Sequence, residues 1–196
     1  NSALDAGINF LDTAACYGIS EELVGASVAH RRDEIVLVTK AGHYLPRGEG
    51  EDWTRELITE SIENSLRLMK TDHVDVVQLH SCDVNVLERG EVIDALEAAR
   101  AAGKTRYIGY SGDNENAEWA VKSGRFDTLQ TSFNLVDQGA RNVILPGAEA
   151  NNMGVIIKRP IGNAVWAAAQ DPKPYSHLPD YTAPYYERAQ AMLAEG

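Results

Sequence analysis

The chain has 196 residues, 44% hydrophobic and 24% charged, with a net charge of -11 and two cysteines, proportions that bury a sizeable core without disulfides or a structural metal. The excess of acid repels phosphate backbones and anionic lipid, and no apolar run approaches the roughly 18 residues that cross a bilayer, which excludes nucleic acid and membrane as expected partners. No secretory signal pattern opens the sequence, so a reducing cytoplasm with both thiols free is the expected setting.

Residues 3–7 (ALDAG) read as the last turn of a helix closed by Gly7. A first strand follows at 8–12 (INFLD) and a second at 35–40 (IVLVTK). Ile58, Ile62, Leu66 and Met69 form the apolar stripe of a helix, before a third strand at 74–80 (VDVVQLH). Val92, Leu96 and Ala99 mark a second helix that stops at Gly103, and 106–111 (RYIGYS) reads as the fourth strand. Ala117, Ala120 and Val121 repeat the helical spacing up to Gly124; strands five and six follow at 128–134 (TLQTSFN) and 154–160 (GVIIKRP). Residues 171–184, with Pro172, Pro174, Pro179 and Pro184, read as an ordered surface loop or lid, and 185–195 (YYERAQAMLAE) as a helix.

Several strands are apolar over four or five consecutive residues, the signature of strands buried on both faces of a parallel sheet. The fold class is therefore α/β, either a doubly wound sheet or a (β/α)8 barrel of the TIM type. No strand is followed by a G-x-G-x-x-G turn, which favours the barrel. The first and last helical segments have no flanking strand. Residues 1–196 are thus expected to form one partial barrel domain with six of the eight βα units.

In a parallel β/α barrel, chemistry is done at the C-terminal ends of the strands. Asp12, Lys40 and His80 end the first three strands, and Tyr17 follows Asp12 by five residues. Adjacent strands lie about 4.8 Å apart, so the three strand ends converge within about 10 Å. A phenol is a poor acid at neutral pH, but a nearby ammonium favours its ionised form. Lys40 offers that charge, Asp12 fixes it, and His80 can hydrogen-bond to the phenol or to a substrate oxygen. The set suits protonation of a carbonyl oxygen while a hydride arrives from a nicotinamide cofactor.

The run from Gly7 to Ala14 (GINFLDTA), followed by Tyr17, Gly18 and Glu21, resembles the G-x-x-x-x-D-T-A-x-x-Y-G-x-x-E stretch of the aldo-keto reductases. The lysine and histidine strands, VLVTK and VDVVQLH, are similar to that family's in the same order. The resemblance implies a (β/α)8 barrel that reduces aldehydes or ketones with NADPH, with Tyr17 as proton donor, Lys40 and Asp12 as its activating pair, and His80 orienting the carbonyl. It implies that Ser111 and Gln130 hold the nicotinamide carboxamide, and that Asn134 faces the same mouth. It also implies further strands before and after those present. Where many members carry a tyrosine that stacks on the nicotinamide, this chain has Lys158 and Arg159, cations read either as cofactor contacts or as a salt bridge across the barrel top. The family's phosphate contacts come largely from the last strand and the helices after it, so these residues do not separate NADPH from NADH. His43, Tyr44 and Trp53, after Lys40, are candidates for the pocket wall.

Two rival readings remain. Cys16, Cys82, His80 and Asp12 could form the metal site of a barrel hydrolase, although the sequence has neither a His-x-His strand pair nor C-x-x-C spacing. The same fold could also serve as a cofactor-binding sensor or regulatory subunit with little turnover.

Overall fold

In the computed structural model, which describes residues 1–43, 52–165 and 182–194, strand and helix alternate along the chain. Strands β1 (Phe10–Asp12), β2 (Val36–Ala41), β3 (Val74–His80), β4 (Thr105–Ser111), β5 (Thr128–Ser132) and β6 (Gly154–Lys158) lie side by side in chain order, and every neighbouring pair is parallel. The helices are α1 (Ser2–Asp5), α2 (Ser20–Ser27), α3 (Arg55–Met69), α4 (Val84–Arg89), α5 (Glu91–Ala101), α6 (Asn114–Ser123), α7 (Ile144–Ala150) and α8 (Ala183–Ala194), with short 3-10 stretches at Ala29–Glu34 and Gly162–Ala164. Among the described residues, no helix is long and apolar enough to cross a membrane.

One hydrogen bond fixes the shape of the sheet. Gln130 Nε2 on β5 donates to Asp12 Oδ2 on β1 at 3.0 Å. In a flat sheet those strands would lie about 19 Å apart, four spacings of about 4.8 Å. The six strands therefore curl into a half-barrel, as the strand and helix pattern predicts.

Register then decides which side chains look into the concave interior, because alternate residues share a face. Lys40 aligns with Gln78, Gln78 with Gly109, His80 with Ser111, Ser111 with Gln130, and Ser132 with Lys158. Asp12 aligns with Val38, two residues before Lys40, and so joins the same face. The alternate positions Leu37, Val77, Leu79, Ile108, Tyr110 and Leu129 point outward into one core with the stripes of α3, α5 and α6, which include every stripe residue named from the sequence.

The helix ends follow local chemistry. The Thr54 hydroxyl accepts from Leu57 N–H at 3.2 Å and caps α3. Gly124 closes α6 with φ 65. At Gly25 in α2, an added Cβ would sit 2.2 Å from the Leu68 carbonyl oxygen, so this glycine permits backbone-close packing of α2 on α3.

Two strands stop short of their expected ends. Ser132 N–H is taken by Asp113 Oδ1 at 2.7 Å, and Asn134 and Asp137 then exchange backbone hydrogen bonds in a turn, so β5 ends at Ser132. Arg159 has φ 56, outside the extended region, so β6 ends at Lys158. The C-terminal helix begins two residues earlier than its periodicity suggests, with Pro184 in its first turn. The proline-rich run before it, through residue 181, lies outside the described residues, as does Tyr44.

Candidate active site

Lys40 stands at the centre. The residue is buried to 2% exposure, and its Nζ donates to Asp12 Oδ1 and to the Thr13 carbonyl, each at 2.8 Å. Burial pushes this ammonium below the ordinary lysine range, and the Asp12 carboxylate pulls it back. The other Asp12 oxygen accepts from Gln130, whose Oε1 accepts in turn from the Ser111 hydroxyl at 2.9 Å. A continuous chain of hydrogen bonds thus links Ser111, Gln130, Asp12 and Lys40 across the curl of the sheet. On the outer face behind Lys40, Thr39 Oγ1 donates to the buried Glu21 carboxyl at 2.6 Å and ties α2 to β2.

The aromatic residues gather above the ammonium. Lys40 Nζ lies 5.3 Å from the Tyr17 ring centroid, and the Tyr17 ring meets His80 edge-on at 5.7 Å. Tyr17 is 50% exposed, open to the mouth of the half-barrel. His80 sits deeper. Burial first, then the charges of Lys40, His43 and Lys158, push its imidazole down to about 3, so it is neutral at physiological pH. Cys16 Sγ lies 3.4 Å from His80 Nδ1. His43 packs against His80 at 5.2 Å and against Trp53 at 5.0 Å. The Trp53 indole covers Gly42, where any Cβ would strike the ring at 1.9 Å.

The ends of β4 to β6 form a second, cationic group. Lys158 Nζ and Arg159 Nη1 lie 3.0 and 3.5 Å from Asp113 Oδ2, and Arg159 also donates to Ser132 Oγ at 2.8 Å. Burial raises Asp113, but the Lys158 charge and the hydrogen bonds from Ser132, Lys158 and Thr131 hold it below the usual carboxylate range. Asn134 Nδ2 donates to the Arg159 carbonyl at 2.9 Å and its Oδ1 accepts from Val136 N–H at 2.9 Å, fastening the loop after β5 to the end of β6.

The curl therefore brings together Asp12, Tyr17, Lys40, His80, Ser111 and Gln130, with Lys158 and Arg159 beside them around Asp113. Cys82 goes elsewhere: it is buried in the helix-side core, and its carbonyl accepts the Tyr110 hydroxyl at 2.7 Å. Burial pushes its thiol up to about 12. Among the described residues no group of three or more His, Cys, Asp or Glu is placed to hold a metal.

A family model described as "Aldo/keto reductase family" matches residues 1–191. The chain belongs to the aldo/keto reductase family. Among curated proteins it is 34% identical over 173 residues to the uncharacterized oxidoreductase YqkF of Bacillus subtilis, covering 84% of this chain and 55% of that protein. Among solved structures it resembles the holo form of an aldo-keto reductase from Bacillus halodurans, with TM-score 0.75 and 28% identity over 83% of this chain and 56% of that one. It also resembles an aldo-keto reductase of Klebsiella pneumoniae in complex with NADPH, with TM-score 0.69 and 27% identity over 87% of this chain and 58% of that one. The chain spans about half the length of the curated relatives it matches.

Within this aldo/keto reductase chain, sequence reasoning missed two residues of the mouth as partners of the residues it named. Asp113 stands in plain view two positions after Ser111, but its pairing with Lys158 and Arg159 has no local signal. For Cys16 the sequence offers a free thiol or a metal ligand; its adjacency to Tyr17 is visible there, its contact with His80 is not.

Proposed function

We propose that this chain carries the catalytic centre of a carbonyl reductase, which converts an aldehyde or ketone to an alcohol with NADPH. The observation that carries the reading is the buried Lys40 ammonium, 2.8 Å from Asp12 Oδ1 and 5.3 Å from the Tyr17 ring. In this reading Tyr17 gives its hydroxyl proton to the carbonyl oxygen, and the Lys40 ammonium stabilises the phenolate left behind. Asp12 and the Thr13 carbonyl hold the ammonium in place. The half-exposed phenolate recovers its proton from water. His80, neutral and poorly basic, hydrogen-bonds the carbonyl oxygen and orients it without competing as the acid.

The donor set fits a nicotinamide nucleotide. A carboxamide needs both a donor and an acceptor, and Ser111 and Gln130 present these one strand apart; Lys158 and Arg159, with Asn134 beside them, place positive charge toward an anionic cofactor. When bound, the cofactor supplies the hydride that reaches the carbonyl carbon, and with the proton from Tyr17 this completes the alcohol.

Following NADPH absorbance with an aromatic aldehyde tests the reading. The chain should oxidise NADPH, and Tyr17→Phe should lower kcat by about a hundredfold or more while the NADPH Kd, from fluorescence titration, changes by less than about twofold. Undiminished turnover in Tyr17→Phe would overturn the assignment. Tight NADPH binding with no turnover in the unaltered chain would instead support the sensor reading.

A further inference from the structure

The roles above leave Cys16 unused, although it touches a residue they name. Cys16 precedes Tyr17, and its sulfur is 3.4 Å from His80 Nδ1. Neither partner is adrift. Ala15 N–H is bound to the Lys40 carbonyl at 3.2 Å and Tyr17 N–H to the Ala14 carbonyl at 3.0 Å, which fixes the backbone on both sides of Cys16. His80 ends β3, and the next residue is pinned to β4 by Ser81 N–H donating to the Ser111 carbonyl at 2.7 Å. The imidazole is further confined by the Tyr17 and His43 rings packed edge-on against it.

A sulfur and a ring nitrogen at this distance share one proton, and two arrangements exist: the thiol donates to Nδ1, or Nδ1–H donates to sulfur. Burial raises the thiol above its ordinary range, so Cys16 keeps its proton at neutral pH. His80 is neutral there and carries a single ring proton. If that proton sat on Nδ1, Nε2, the nitrogen left for a substrate, would carry only a lone pair and could only repel a carbonyl oxygen. If Nδ1 accepts from the thiol, Nε2 carries the proton and can donate. The identity of the tautomer is set by the partner of the other nitrogen.

We propose that Cys16 is a positioning residue that selects the His80 tautomer: its S–H donates to Nδ1, so that Nε2–H is the donor offered to the substrate carbonyl. This rests on the carbonyl-reductase reading for its catalytic meaning, but the tautomer itself is a property of the protein without substrate. The side chain at position 16 then matters for its proton more than for its bulk. A serine hydroxyl can make the same donation. Alanine leaves Nδ1 without a donor from this position. An aspartate would only accept, and draws a proton onto Nδ1.

The test is a long-range proton–nitrogen correlation spectrum of the uniformly 15N-labelled chain at neutral pH, with the His80 signals identified by their loss in His80→Gln. The unaltered chain and Cys16→Ser should each show His80 as a single Nε2–H tautomer. Cys16→Ala should show a mixture of tautomers, and Cys16→Asp should carry a proton on Nδ1. In the turnover assay, Cys16→Ser should keep kcat within about threefold, while Cys16→Ala loses about tenfold in kcat with the KM for NADPH unchanged. An Nδ1–H tautomer in the unaltered chain overturns the proposal, as does Cys16→Ala with a single Nε2–H tautomer and full kcat. The two readings fail separately: no turnover in the unaltered chain overturns the reductase function whatever the spectrum shows, whereas good turnover with Nδ1–H overturns only the role of Cys16.

Discussion

A buried imidazole flanked by cations resists protonation, and for His80 that has a consequence for stability. Its affinity for a proton is lower in the folded protein, about 3, than the ordinary value of 6.5. Between those limits the unfolded chain binds the extra proton, so His80 contributes stability that is fully present above about pH 6.5 and is lost as pH falls toward about 3. His80→Gln should therefore flatten the acid side of the stability curve, measured by urea unfolding at a series of pH values. An unchanged slope would mean that His80 binds its proton equally well in the folded and unfolded chain. Lys40→Met should cost about a hundredfold or more in kcat, because the phenolate loses its stabilising charge. The residues involved were legible because polar side chains at the ends of apolar strands are conspicuous. The Cys16–His80 contact was not, since it depends on a loop side chain meeting a residue 64 positions away. Asp113 eluded the sequence for a similar reason: its partners, Lys158 and Arg159, reach it only once β4 and β6 flank β5.

At the scale of elements, periodicity carries well where a segment is long enough to repeat. The four stripe residues of α3, the three of α5 and the three of α6 all enter the core. Ile62→Ala, deep in the α3 interface, should destabilise by about 2–5 kcal/mol in equilibrium unfolding. The short helices α4 and α7, with six and seven residues, offer too few turns to display a stripe. Gly25 sets propensity against packing. Alanine is worth about 1 kcal/mol more than glycine within a helix, yet here its methyl would meet the Leu68 carbonyl at 2.2 Å. Backbone does not yield as a flexible side chain does, so packing wins, and Gly25→Ala should lower the urea midpoint. A raised midpoint would show that α2 can slide on α3 freely.

For the molecule as a whole, alternation of strand and helix gives the parallel sheet, but the curl that creates the site rests on contacts between distant strands. Asp12 and Gln130 are 118 positions apart and share a hydrogen bond that no local pattern announces. The curl also gathers Lys40, Lys158 and Arg159 at one end of a chain whose net charge is -11. In the proposed function an anionic cofactor would meet these three cations, which share the two carboxylates of Asp12 and Asp113, on a chain whose overall charge repels it. NADPH affinity should weaken several-fold as salt rises from about 0.05 M to about 0.5 M, which a fluorescence titration would register; an affinity indifferent to salt would place the cofactor away from these cations.

In the proposed function the carbonyl substrate takes a hydride at carbon from the nicotinamide and a proton at oxygen from Tyr17. The most direct measurement is isotopic: NADPH deuterated at C4 of the nicotinamide, one stereoisomer at a time, is incubated with the chain and an aromatic aldehyde in ordinary water, and the alcohol is analysed by mass spectrometry. One deuterium on the carbinol carbon from one of the two stereoisomers, abolished in Tyr17→Phe, is the expected result. Alcohol formed without deuterium from either isomer, or no alcohol at all, would contradict it.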